Sequence, residues 1–178
     1  MGAHVKRALQ PRRPSVAGAG DLRIILDALR HIVRELRVSS RAAEARVGLS
    51  AAQLFALHRL AEGRALSLGE LAERTFTHQS SVSVVVRRLA ERQLVAKRTS
   101  RADGRRVELT LTPAGRALLR RAPAAAQERL ITALNHLSAP ERDRLARSLS
   151  RLVREMGARG RVAAMFFEEE PHGHRGGL

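Results

Sequence analysis

Apolar positions along this chain repeat with a period near 3.6 at both ends, and break into shorter, mixed patterns in the middle. From Asp21, the residues Leu22, Ile25, Leu26, Leu29, Ile32, Val33 and Leu36 hold one stripe for four turns, with Arg23, Arg30, Arg34 and Arg37 spaced around it. That spacing predicts a long amphipathic helix over 21–48. Near the other end, Leu130, Leu134 and Leu137 close one helix, and Leu145, Leu149, Leu152, Val153 and Met156 mark the stripe of another. The second of these opens at Ser138-Ala139-Pro140-Glu141, which has the S-x-x-E spacing of a capping box.

The middle reads as smaller pieces. Ser50 and Gln53 have S-x-x-Q spacing and open a helix carrying Phe55 and His58; Ser67-Leu68-Gly69-Glu70 caps a short helix that ends near Arg74. After small polar residues at 77–81, Val82, Val85, Val86 and Leu89 fall on one helical face, and Gln79, Ser80, Ser83, Val84 and Arg87 on the other. Two β-prone runs follow, 94–99 and 107–111, joined by a tip that contains Asp103-Gly104 for a tight turn and the arginines 101, 105 and 106. From Arg87 to Arg106 there are eight basic residues against two acidic ones.

This order of helix, turn, helix and basic hairpin is the layout of a winged helix-turn-helix on duplex DNA. The outer face of 79–87 is uncharged at its start. Its short hydroxyl and amide groups suit base edges in the major groove, Val84 suits a thymine methyl, and Arg87 and Arg88 suit phosphate. Arg98, Arg101, Asp103, Arg105 and Arg106 place the hairpin against phosphate or the narrow minor groove. Taken alone, 79–89 reads equally well as an ordinary amphipathic helix with a solvated face; the flanking pieces favour the DNA reading.

The stretch from Leu49 to Leu119 resembles the multiple-antibiotic-resistance regulator (MarR) family of transcription factors, through "LSLGELAERTF", "VVRRLAERQLVAKR", the wing's Asp103-Gly104-Arg105 and "LTLTPAGRALL" in that order. Flanking helices extend the resemblance to roughly 21–157. Many members carry an arginine where this chain has Val84, and a glycine where it has Gln93. The resemblance implies a mainly α fold with a small β-hairpin wing, in which a winged helix-turn-helix DNA-binding lobe joins a helical dimerisation lobe built from the N- and C-terminal helices. It also implies a homodimer, in which two recognition helices about 34 Å apart read an inverted-repeat operator. A further implication is a cleft for a small organic effector, for which His31, Arg34, Phe55 and His58 are candidates; histidines with no ligand role are the commoner alternative.

Composition narrows the partners. A net charge of +16 favours a polyanion. Four phenylalanines with no tyrosine or tryptophan leave few platforms for unpaired bases, which favours duplex DNA over single strands or RNA loops. The absence of cysteine excludes disulfides and thiolate metal sites or sensors. No apolar run nears membrane-spanning length and no secretory core stands at the N-terminus, so no membrane partner and a cytoplasmic location are expected. Glu168, Glu169, Glu170, His172 and His174 are a thin metal candidate in a glycine-rich tail. No catalytic constellation is present, so neither an enzyme nor a cofactor is expected.

The expected organisation is a flexible basic arm over 1–20, with Lys6, Arg7, Arg12 and Arg13, then a dimerisation helix over 21–48. The DNA-binding domain follows over 49–112, linker and dimerisation helices over 113–165, and a flexible tail over 166–178. Pro123 predicts a kink or break near Ala122. The expected activity is ligand-modulated transcriptional regulation, more readily repression, with a sequence-indifferent architectural DNA binder as the alternative.

Overall fold

The computed structural model describes residues 16–100, 104, 106–157 and 165. The chain divides into two compact units, residues 1–35 and 36–178. Helix α1 runs Val16–Val47, starting five residues before Asp21. Its first turns hold Gly18 and Gly20 and no regular stripe, so periodicity could not mark them. In the first unit, Leu22, Ile24, Ile25, Leu26, Ile32 and Val33 are exposed. The rest of the predicted basic arm, 1–15, lies outside the described residues.

The second unit is built around α2, Ala51–Ala61. The other elements are α3 at Leu68–Arg74, α4 at Gln79–Glu91, the strands β1 (Val95–Thr99) and β2 (Val107–Leu111), and then α5 at Pro113–Leu119, α6 at Ala126–His136 and α7 at Ala139–Glu155. All three predicted capping boxes form. Ser50 with Gln53 opens α2, Ser67 with Glu70 opens α3, and Ser138 with Glu141 opens α7. Each satisfies backbone N–H groups that a helix start leaves without partners. Helix α2 buries Leu54, Phe55, Leu57 and Leu60, and the last three join Leu66, Leu71, Val82, Val85, Val86, Leu89, Leu109 and Leu111 in one core.

The strands pair antiparallel, with Val95 opposite Leu111 and Thr99 opposite Val107. Leu66 adds a third, single-residue rung on Leu109, with N–H to O distances of 3.1 and 2.7 Å in the two directions. Thr112 then caps α5: its hydroxyl accepts from the Gly115 N–H at 3.0 Å and donates to the Gln93 carbonyl at 2.7 Å. Pro113 occupies the first turn, where its missing N–H costs nothing. The break that Pro123 predicts is present and wider than one residue, from the end of α5 at Leu119 to the start of α6 at Ala126.

Candidate nucleic-acid interface

Helix α4 is held by the four residues that the sequence placed on its inner face. Val82, Val85, Val86 and Leu89 are all buried. Its opposite face presents Gln79, Ser80, Ser83 and Arg87 exposed, with Val84 and Arg88 half-buried beside them. Arg87 has no ion-pair partner among the described residues. A helix start whose outward groups are two hydroxyls and an amide offers donors and acceptors without charge, the chemistry that reads base edges.

Both ends of the helix-turn-helix are fixed by the same backbone device. Beyond α3, the Phe76 N–H donates to the Glu73 carbonyl at 3.1 Å and the Thr77 N–H to the Ala72 carbonyl at 3.1 Å. Beyond α4, the Gln93 N–H donates to the Ala90 carbonyl at 2.9 Å and the Leu94 N–H to the Leu89 carbonyl at 2.9 Å. These are Schellman motifs, which require a left-handed residue at the first position past the cap, usually glycine. Here the residues are Phe76 at φ 52° and Gln93 at φ 57°. Gln93 thus adopts a conformation that glycine takes without strain, and the turn into the wing forms at a cost of about 1–2 kcal/mol.

The wing follows directly. Arg98 is exposed on β1, opposite Glu108 in the register. Arg106 stands at the wing's root, half-exposed, where its carbonyl accepts from the Ser100 N–H at 2.7 Å. Its Nη2 lies 2.5 Å from Oε2 of Glu70, and Arg64 Nη2 lies 2.9 Å from the other oxygen of that carboxylate. The Ser67 N–H donates to Glu70 Oε2 at 2.7 Å. The contacts with Ser67 and Arg106, the Ser67 backbone first and Arg106 next, lower the pKa of the Glu70 carboxyl from 4.5 to about 2. The remaining wing candidates, Arg101, Asp103 and Arg105, lie outside the described residues.

Gly115 belongs to the site's support, and periodicity gave no sign of it. A Cβ there would sit 2.2 Å from the Leu94 carbonyl oxygen, so only glycine lets α5 pass the start of β1 this closely.

The effector candidates fall in different places. His31 and Arg34 are exposed on α1 in the first unit. Phe55 is fully buried in the core of the second, with the Arg59 guanidinium 4.9 Å above its ring. His58 is half-buried, its Nδ1 3.7 Å from Glu128 Oε1, and it borders an open cavity of about 490 Å³ together with Arg64, Leu111, Arg116, Leu119 and Arg120. Among the described residues no cluster of His, Asp and Glu could hold a metal ion, and the 168–174 tail lies outside them. No described helix is long and apolar enough to cross a membrane.

Comparison with known proteins agrees with this architecture. A sequence model described as "MarR family" matches residues 47–106. The HTH-type transcriptional repressor Rv2887 of Mycobacterium tuberculosis is 32% identical over 117 residues, which span 66% of this chain and 84% of the repressor. A solved structure of Bordetella bronchiseptica BpsR, concerned with regulation of its DNA binding by 6-hydroxynicotinic acid, is 30% identical at TM-score 0.51, covering 75% of this chain and 93% of that one. A DNA complex of a MarR family regulator from Streptomyces coelicolor shares the fold at TM-score 0.53 and 24% identity, over 86% of this chain and 95% of that one.

Proposed function

The chain belongs to the MarR family, and we propose that it is a DNA-binding transcriptional repressor acting as a homodimer on an inverted-repeat operator. Members of this family are non-enzymatic regulators, and the mycobacterial relative is itself a repressor. The observation that carries the reading is the face of α4: Gln79, Ser80, Ser83 and Arg87 stand free on a helix whose other side is locked into the core, with a basic wing beside it.

In operation, Gln79, Ser80, Ser83 and Val84 read base edges while Arg87, Arg88 and the wing arginines Arg98, Arg101 and Arg105 neutralise phosphates. Repression needs only occupancy of a promoter. The dimer is supported by the exposed apolar residues Leu22, Ile25, Leu26, Ile32 and Val33 of α1, by the bare stripe of α7, and by the geometry of paired major grooves. Modulation by a small organic molecule is supported by BpsR, whose DNA binding 6-hydroxynicotinic acid regulates. Such a ligand acts by binding the DNA-incompetent arrangement more tightly, with a coupling of about 1–3 kcal/mol. A cytoplasmic location follows from a chromosomal target.

Salt titration on a duplex selected from genomic fragments and on its scrambled counterpart tests the reading. A repressor holds its own site about 10³-fold or more tighter at equal salt. Equal affinity for both duplexes would instead favour the sequence-indifferent architectural binder.

A further inference from the structure

The Glu70 carboxylate is where the wing, the loop before α3 and the start of α3 meet. Both of its oxygens carry an arginine, Arg106 on one and Arg64 on the other, and the Ser67 N–H shares the Arg106 side. We propose that Arg106 is a positioning residue rather than a phosphate contact: clamped on Glu70, it ties the root of the wing to α3 and fixes the angle at which the paired strands meet DNA. This rests on the reading of α4 and the wing as the DNA-binding surface.

Two points of attachment set an angle where one does not. The Leu66 and Leu109 backbones make the first attachment, through paired hydrogen bonds. Arg106, three residues earlier on the outgoing side of the hairpin, makes the second, and its Nη2 also lies 3.4 Å from Ser67 Oγ. The Glu70 side chain is 21% exposed and that of Arg106 45%, so the pair is partly open to solvent and its hold is modest. Its carboxyl stays ionised far below neutral pH, so the clamp is charged wherever the protein works. Arg98, by contrast, is exposed and has no ion-pair partner among the described residues, and it is placed to meet phosphate without giving one up.

The chain contains its own control. Ser50 and Gln53 form a neutral capping box, with Gln53 Oε1 accepting from the Ser50 N–H at 3.2 Å. Glu70→Gln therefore keeps the cap and removes the charge that holds both Arg106 and Arg64.

The experiment uses the full chain, a selected operator duplex and the variants E70Q, R106M, their double and R98M. E70Q and R106M should each weaken operator binding about three- to fivefold, and the double no further than E70Q, because the Glu70–Arg106 pair is lost in all three. The slope of log K against log salt should be unchanged in these and lower by about one in R98M. Without DNA, exchange of the Ser100 and Leu109 amides should speed up in E70Q and R106M alike. The clamp is overturned if R106M lowers the salt slope by about one, if the two losses add, or if amide exchange is unaffected. Failure of the wild type to prefer its operator would sink the DNA-binding reading separately, and the exchange measurement would still decide whether the clamp exists.

Discussion

Helices α4 and α7 carry apolar stripes of similar regularity, yet one is covered and the other is bare. All four stripe residues of α4 are buried, whereas α7 has no buried residue: Leu145 is 37% exposed, Leu149 42%, Leu152 41% and Val153 48%. Periodicity reports that a helix has an apolar side, and says nothing of whether the cover comes from the same chain. Helix α4 is finished within one chain. The terminal helix is not, and a second copy is the occupant proposed for it.

The largest expected effect breaks that contrast from the α7 side. Leu149→Arg places an unpaired charge in the proposed dimer contact, at a cost of about 3–5 kcal/mol. Sedimentation should show a monomer with an unchanged helical circular dichroism spectrum, and operator affinity should fall about 1,000-fold. A dimer of undiminished affinity would mean that α7 is not the contact.

Gly115→Ala strikes the other region. The new methyl meets the Leu94 carbonyl, and backbone must shift, so the urea midpoint should fall by the equivalent of about 3 kcal/mol. An unchanged midpoint would show that α5 and β1 do not pass as closely as described.

Smaller and opposite in sign are Phe76→Gly and Gln93→Gly. Both positions are left-handed, so each exchange should raise stability by about 0.5–1 kcal/mol after the extra entropy of glycine in the unfolded chain. A thermal melt that drops instead would show that these side chains make contacts that outweigh their strain.

These positions mark how far the sequence was legible. The capping boxes, the inner stripe of α4, both wing strands and the break near Pro123 were visible, because each depends on local spacing. Phe76 was not, since a helix end is usually flagged by a glycine; Gln93 was marked only through the family resemblance, as the residue standing where many members carry one. The Glu70–Arg106 pair was half visible: S-x-x-E spacing announced the cap, but the wing arginine arrives from 36 positions later through tertiary structure. Phe55, a candidate for an effector cleft from its place on α2, is buried in the core. Nothing in spacing foretold the close approach at Gly115.

The smallest effect is acid dependence. Glu70 titrates at about 2 when folded against 4.5 unfolded, so its contribution is complete above about pH 4.5 and is lost as pH falls towards 2. The difference in stability between wild type and E70Q should therefore shrink over that range in urea unfolding. A difference that stays constant would contradict the pairing.

The central claim is that two chains, joined through their terminal helices, set two copies of α4 on one stretch of duplex. Its most direct test is the mass of the complex formed on a selected operator, measured by sedimentation equilibrium. The account predicts two 19.6 kDa chains per duplex at saturation, with no stable one-chain species. A single chain per duplex, bound with full affinity and full preference for that operator, would contradict it.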